Sequence, residues 1–118
     1  MHSLEEALES VDRFCQKAKM AEEMCFKLRL VCEELVVNLL KHGKAKEFSF
    51  SLNQVEEKIC ISLSYAGACF DPLKSNLGPL QSLEKSEPGG LGLFLVKQLA
   101  RSLHHRYEKG VNFVEVVV

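Results

Sequence analysis

The segment 22–42 limits most strongly what this chain can form. Its apolar side chains recur too densely for a solvated helix, and Gly43 follows as a helix stop. The spacing therefore predicts a long, largely buried helix. Three polar residues spaced four apart nevertheless share one of its faces: Glu34, Asn38 and His42. Since a buried carboxylate or amide destabilises a fold unless a partner satisfies it, the segment predicts either paired polar groups or a ligand site.

Two interpretations of this polar stripe follow from its chemistry. The side-chain carbonyl of Asn38 suits Mg²⁺, which keeps several waters and shares its other positions with phosphates. Glu34, one turn away, could hold one of those waters or accept a proton from an attacking hydroxyl. Alternatively, Glu34 pairs with Lys41 or another lysine, Asn38 bonds to main chain and His42 caps the helix end. The segment alone leaves both interpretations open.

A glycine cluster comes much later in the chain, immediately before a predicted helix at 91–103. Its members are Gly89, Gly90 and Gly92. Glycines let main-chain N–H groups approach an anion closely, and a helix N-terminus adds partial positive charge. The pattern favours a phosphate site, with a hinge before a helix as the alternative.

The remaining segments complete an α+β pattern. Ser3 followed by Glu6 resembles a capping box, and helical spacing predicts a first helix ending near 18–20. Alternating residues predict strands at 48–53 and 59–64, joined through 54–57, and further strands at 105–108 and 112–118, joined at Lys109–Gly110. The stretch 66–90 carries all three prolines and is expected to be a functional loop or lid.

Composition limits the class of protein. A chain of 118 residues, 47% hydrophobic and 26% charged, is expected to form one domain over 1–118. The net charge of −1 gives no basic field for nucleic acid, and no apolar stretch approaches the roughly 20 residues that span a bilayer. A cytoplasmic protein is expected. Five cysteines without Cys-x-x-Cys spacing are predicted to be reduced, mostly buried thiols: Cys15, Cys25, Cys32, Cys60 and Cys69.

The order of these features resembles a known family. An E-x-x-x-N helix ending in His-Gly, a β-hairpin, a Gly-x-x-Phe-Asp-Pro loop, a lid and Gly-Gly-Leu-Gly-Leu-Phe-Leu-Val look like the GHKL (histidine kinase-like) ATPases. Within them, the chain is most similar to the anti-sigma-factor serine kinases of the RsbW and SpoIIAB type. The resemblance runs from about Ala7 to Val118 and includes Tyr107 and Gly110-x-Asn112.

The resemblance implies a Bergerat fold, an α+β two-layer sandwich with helices on one face of a mixed sheet of four or five strands. Relatives usually carry a short strand before the first helix, whereas this chain enters that helix at Ser3. One edge of the sheet is therefore expected to be unpaired or available to a partner subunit.

Functional roles are also implied by the resemblance. Glu34 matches the general base that activates a serine hydroxyl of a protein substrate, while Glu33 points away. Asn38 matches the Mg²⁺ ligand, and His42 lies near the nucleotide. The second box, with Gly67 and Phe70-Asp71-Pro72, forms the adenine pocket and the lid entry. The phosphates are held by the glycine cluster, Gly89, Gly90 and Gly92.

Tyr65 departs from the family pattern. Relatives usually have an aspartate there, which accepts a hydrogen bond from the adenine amino group, and a glycine or proline where this chain has Cys69. Loss of such a partner costs about 1 to 3 kcal/mol. The phenol could occupy the adenine space or accept the adenine proton through its own oxygen, and Asp71 could instead reach in.

The function implied is an anti-sigma regulatory factor that binds ATP and Mg²⁺ and phosphorylates a serine of an anti-sigma antagonist protein. It would bind a sigma factor and the antagonist, form a homodimer, and contact neither nucleic acid nor membrane directly. A nucleotide-free binding module is the alternative, and Tyr65 favours it. The core of a sensor histidine kinase is a third option. It is disfavoured because no phosphoacceptor helical hairpin precedes the domain in this sequence.

Overall fold

The structure, a computed structural model, describes residues 1–73 and 90–118. Within them the chain forms three helices and four strands. In chain order these are α1 (Leu4–Ala18), α2 (Glu22–His42), β1 (Ser49–Val55), β2 (Lys58–Ala66), α3 (Gly90–Leu99), β3 (Ser102–Glu108) and β4 (Val111–Val117). Most of the predicted lid, 74–89, lies outside the described residues.

Both N-terminal helices form where the periodicity predicts them. Ser3 caps α1, since its Oγ accepts a hydrogen bond from the Glu6 main-chain N at 3.2 Å. Lys19 ends the helix in a left-handed conformation, φ 51°, and the chain turns back into α2. The second helix ends at His42, and the Gly43 N–H donates to the oxygens of Asn38 and Leu39.

The sheet has the strand order β1-β2-β4-β3, and its three pairings are all antiparallel. The α+β fold and the strand number are confirmed, but the expectation of a mixed sheet is wrong for the described residues. Two-residue turns at Glu56–Glu57 and Lys109–Gly110 join the hairpins, and such short connections impose antiparallel pairing. The central pair, β2 and β4, places Tyr65 opposite Asn112.

One face of the sheet carries the core. Inward residues of β2, namely Ile59, Ile61 and Leu63, are at most 1% exposed, whereas their neighbours Cys60 and Ser62 are half-buried. The helices contribute the other half of the same apolar cluster, mainly Val11, Leu28, Val31, Leu35, Val36 and Leu39. Because a strand alternates its faces, a shift of one residue would expose this whole set, so the burial pattern fixes the register.

Two contacts tie α1 to α2, and one corrects a prediction. Arg29 and Asp12 form an ion pair at 2.5 Å. Cys15 and Cys25 form a disulfide, so the expectation that all five cysteines are reduced is wrong for these two. The turn at Lys19 brings their Cα atoms within 6.1 Å, a separation that a disulfide spans and that sequence spacing does not reveal. The other three are free, with Cys32 buried and Cys69 exposed.

The boundary between α3 and β3 also differs from prediction. Helical spacing predicted a helix up to Leu103, but α3 ends at Leu99 and β3 begins at Ser102. The first three residues of β3 pair with β4, and the Arg101 N–H donates to the Val117 oxygen at 2.7 Å. Ladder hydrogen bonds therefore override the apolar periodicity here. The shortened α3 packs against α2.

Strands β1 and β3 form the two edges of the described sheet. Just before β1, the main chains of Met1 and Phe48 exchange two hydrogen bonds, of 2.6 Å and 2.8 Å. The expected open edge is thus paired at one residue, beside the start of β1. No helix among the described residues is both long enough and apolar enough to cross a membrane.

Candidate nucleotide site at the C-terminal half of α2

Glu34 carries a buried carboxylate oxygen that lacks a hydrogen-bond partner within the described residues, Oε2. Burial raises the pKa of this carboxyl, and the neighbouring charge of Glu33 raises it further. The side chain of Glu33 is exposed, as expected. Among the described residues, no ion pair joins Glu34 to Lys41 or to another lysine, so they do not support the alternative that Glu34 pairs with a lysine; Lys74 and Lys85 lie outside them.

Asn38 lies half-buried one turn further along α2. Its Nδ2 donates to the Pro72 main-chain oxygen at 3.4 Å, which agrees with the interpretation that Asn38 bonds to main chain. The amide nitrogen is used in this way, while Oδ1 accepts no hydrogen bond within the described residues. His42 ends the helix and is exposed.

Phe70 packs against the end of α2 at Gly43. A Cβ atom at Gly43 would lie 2.8 Å from both Phe70 Cδ2 and the Leu39 oxygen. Gly43 has an ordinary helical conformation, with φ −81°, so glycine is required here by close approach and not by backbone conformation. The segment 66–73, here called the binding loop, therefore meets α2 at two points, through Phe70 on Gly43 and through Pro72 on Asn38.

The sheet holds the other side of the binding loop. Gly67 has φ 131°, which favours glycine, and its N–H donates to the Gly110 oxygen at 3.0 Å. The Tyr107 hydroxyl donates to the Gly67 oxygen at 2.7 Å. Asp71 stays within the loop, where its Oδ1 accepts from the Leu73 N–H at 2.9 Å. Its Oδ2 lies 3.8 Å from His105 Nδ1.

Tyr65 is buried beneath the binding loop, at 4% exposure. Its hydroxyl donates a hydrogen bond to the Phe70 main-chain oxygen. Burial raises the pKa of the phenol, and the charges of Asp71 and Cys69 raise it further, so the group is an uncharged donor. The structure thus gives the Tyr65 hydroxyl a partner inside the protein.

The side-chain oxygens of α2 and the start of α3 fit Mg²⁺ and phosphate. Glu34 Oε2 and Asn38 Oδ1, neither of which has a hydrogen-bond partner within the described residues, belong to residues one helical turn apart, and Mg²⁺ prefers such hard oxygen ligands. Among the described residues, no group of three or more His, Cys, Asp or Glu converges as a metal site. Gly90 begins α3 and Gly92 lies in its first turn, on a helix that packs against α2. Gly89 lies outside the described residues.

Two residues that contact the binding loop had no role in the sequence interpretation. Asn112 and His105 lie at partly or fully buried positions of β4 and β3, where alternation calls for apolar side chains. In the sequence, Asn112 belongs to the Gly110-x-Asn112 part of the family resemblance, which assigns it no role. A polar residue at a core-facing register position was the signal that could have identified both.

Comparison with known proteins agrees with this geometry. The family model of the histidine kinase-like ATPase domain matches residues 1–118. The serine/threonine-protein kinase BtrW of Bordetella bronchiseptica is 25% identical in an alignment of 112 residues that covers 91% of this chain and 79% of that protein. The serine-protein kinase RsbW of Listeria innocua is 28% identical over 114 residues, with 89% and 73% covered, and RsbW of Listeria monocytogenes gives the same values. The chain belongs to the histidine kinase-like ATPase domain family.

Proposed function

We propose that this protein binds Mg²⁺-ATP between α2 and the binding loop and phosphorylates a serine of an anti-sigma antagonist protein. The observation that carries the proposal is the buried Oε2 of Glu34, which has a raised pKa and no partner within the described residues. An unpaired buried carboxylate destabilises the fold, so its presence one helical turn from an amide oxygen that accepts no hydrogen bond from the described residues supports a functional role.

Glu34 is proposed as the general base. A carboxylate with a raised pKa accepts a proton more readily than an ordinary surface glutamate, because basicity rises with the pKa of the conjugate acid. Its Oε2 is not occupied by another donor of the described residues and is free to take the proton of a serine hydroxyl. This step leaves the serine oxygen as the nucleophile for phosphoryl transfer.

Asn38 is proposed as the Mg²⁺ ligand through Oδ1, while its Nδ2 stays bonded to Pro72. When bound, Mg²⁺-ATP supplies the phosphoryl group and neutralises the charge that develops during transfer. Main-chain N–H groups at Gly89, Gly90 and Gly92 are proposed to hold the phosphates at the start of α3, where the helix N-terminus favours anions. His42, Tyr65, Gly67 and Asp71 are proposed to border the nucleotide at α2 and the binding loop.

The relatives named as serine or serine/threonine-protein kinases support a protein serine as the group that is phosphorylated. A sigma factor and its antagonist are proposed as the proteins bound, with a homodimer as the active assembly. Availability of the sigma factor would then depend on the phosphorylation state of the antagonist.

Two variants test the proposal separately for binding and for chemistry. ATP is titrated calorimetrically into the wild type, Asn38→Ala and Glu34→Gln, each in the presence of Mg²⁺ and again with EDTA instead. We expect Asn38→Ala to lose the Mg²⁺-dependent part of the affinity and Glu34→Gln to retain it. Transfer of label from [γ-³²P]ATP to antagonist proteins of the same genome should then fail for Glu34→Gln even though this variant keeps its Mg²⁺-dependent affinity, and for Asn38→Ala because that affinity is lost. Loss of nucleotide affinity in Glu34→Gln would contradict the general-base role.

A second function, a nucleotide-free protein-binding module, is favoured by Tyr65. Tyrosine places no carboxylate at this position for an adenine amino group, and its buried hydroxyl already donates to the Phe70 main-chain oxygen. An absence of heat at millimolar Mg²⁺-ATP, together with binding of a sigma factor by the same preparation, would establish the module and reject the kinase.

A further inference from the structure

Asn112 is the one polar residue that is fully buried in the described part of the chain. It occupies a core-facing position of β4, and the next two such positions are Val114 and Val116. An apolar residue would serve the sheet equally well there. The carboxamide is therefore explained by what its polar atoms contact, since a buried amide destabilises a fold unless it is fully hydrogen-bonded.

All four hydrogen-bonding positions of the Asn112 carboxamide are used. Oδ1 accepts from the Phe70 N–H and contacts His105 Nε2, each at 3.0 Å. Nδ2 donates to the Ala68 oxygen at 3.0 Å and to the Tyr65 oxygen at 3.4 Å. Three of these partners are main-chain groups at or just before the binding loop. The Asn112 side chain thus holds the binding loop and takes no part in the main-chain hydrogen bonds between strands.

His105 contacts the oxygen of this amide. Because Oδ1 can only accept, Nε2 of the imidazole must donate to it. The opposite ring nitrogen, Nδ1, then faces Asp71 Oδ2 at 3.8 Å, and the His105 side chain is only 10% exposed. One imidazole therefore contacts both Asn112 and the carboxylate that caps the end of the binding loop.

We propose that Asn112, oriented by His105, is a positioning residue for the proposed nucleotide site. Its hydrogen bonds hold the main chain of Ala68 and Phe70 in place. In that position the Phe70 ring packs on Gly43, and the Pro72 oxygen accepts a hydrogen bond from Asn38. The Asn112 side chain on β4 thereby determines, through the binding loop, where the carboxamide of Asn38 points. The effect of Asn112 on nucleotide affinity rests on the proposed function, whereas its effect on the position of the binding loop does not.

The first test measures the loop without nucleotide, by NMR amide hydrogen exchange in Asn112→Leu and in Val114→Ala as the matched control. Val114 is 1% exposed in the same strand and has no side-chain hydrogen bond to the loop. We expect exchange at Phe70 and Leu73 to rise about tenfold or more in Asn112→Leu, relative to amides of α1 in the same variant. In Val114→Ala, loop and α1 amides should change by the same factor. An equal factor in Asn112→Leu would overturn the positioning role.

The second test uses His105, whose side chain can be replaced conservatively. His105→Gln keeps a donor for Asn112 Oδ1, whereas His105→Phe removes it. By titration with Mg²⁺-ATP we expect His105→Phe to raise Kd about tenfold and His105→Gln to restore most of the affinity, at similar thermal stability. Equal affinity in both variants would overturn the proposal. Failure of the wild type to bind any nucleotide would reject the proposed function, and the exchange experiment would still decide the positioning role.

Discussion

The hydroxyl of Tyr65 donates a hydrogen bond to the main-chain oxygen of Phe70, five residues further along the chain. Tyr65 is in β2 and Phe70 is in the binding loop, where its ring packs on the end of α2. The bond gives a structural purpose to the residue that departs from the family pattern. It also determines how substitutions at this position should behave.

Tyr65→Phe should destabilise the protein by about 1 to 2 kcal/mol, because the Phe70 oxygen loses its donor while packing is kept. Chemical denaturation of the variant measures this loss. Tyr107→Phe is the matched control, since that hydroxyl also bonds the loop but belongs to a residue 44% exposed. We expect less than about half the effect there. Equal losses would show that burial of the Tyr65 bond is unimportant.

Tyr65→Asp should not simply restore an adenine-binding carboxylate. The charge of Asp71 already acts on the Tyr65 hydroxyl, so a second carboxylate nearby would be repelled and partly protonated. The variant would also leave the Phe70 oxygen without its donor. We expect a lower melting temperature than for Tyr65→Phe, and a gain in Mg²⁺-ATP affinity only when Asp71→Asn is combined with it. A large gain in the single variant would contradict this expectation.

Gly43→Ala should cost about 1 to 3 kcal/mol, because the new methyl group would lie 2.8 Å from Phe70 Cδ2 and from a main-chain oxygen. The added group pushes the binding loop away from α2, so affinity for Mg²⁺-ATP should fall with it. Lys41→Ala, at an exposed position of the same turn, should leave both quantities nearly unchanged. A fully stable Gly43→Ala protein would mean that Phe70 repacks freely.

Glu34→Gln should reduce phosphoryl transfer about 10²- to 10⁴-fold, the usual contribution of a general base. In the wild type, activity should fall as the pH decreases through the raised pKa of Glu34, since only the carboxylate accepts a proton.

Folding stability should depend on pH in the opposite direction to activity. The folded protein holds this proton more tightly than the unfolded chain, so stability decreases as pH rises from the ordinary value of 4.5 through the raised one. Glu34→Gln removes that decrease, which denaturation at pH 5 and pH 8 measures.

Reduction of the disulfide between Cys15 and Cys25 should destabilise the protein by about 2 to 3 kcal/mol, the entropy of closing a short loop in the unfolded chain. Cys15→Ser should show the same loss and become insensitive to dithiothreitol. Cys69→Ser is the suitable control, because Cys69 is exposed and its replacement should leave the stability unchanged. Cys32→Ser is unsuitable because Cys32 is buried.

Burial raises the pKa of Cys32 to about 12, so its thiol should react with Ellman's reagent only after unfolding.

The elements and their faces were predictable because they depend on local spacing. Helical periodicity located α1 and α2, and period-two alternation located the β1–β2 and β3–β4 hairpins. Glu34 and Asn38 had to share a face, because residues four apart on any α-helix do so. The end of α3 was not predictable, since Leu103 fits a helix and a strand equally and only pairing with β4 decides between them.

The sequence by itself determined the family, the order of the elements and the polar stripe on α2, since all of these follow from residue types at fixed local spacing. Only the tertiary structure decided what Tyr65, Phe70 and Asn112 do. Their contacts join residues five to 47 positions apart, across the binding loop, β2 and β4. The pairing of Cys15 with Cys25 was decided in the same way, by the turn that lays α2 against α1. Such contacts depend on how the elements pack. A local pattern can mark Asn112 as a polar residue at a core-facing position, but it does not identify the groups that Asn112 contacts.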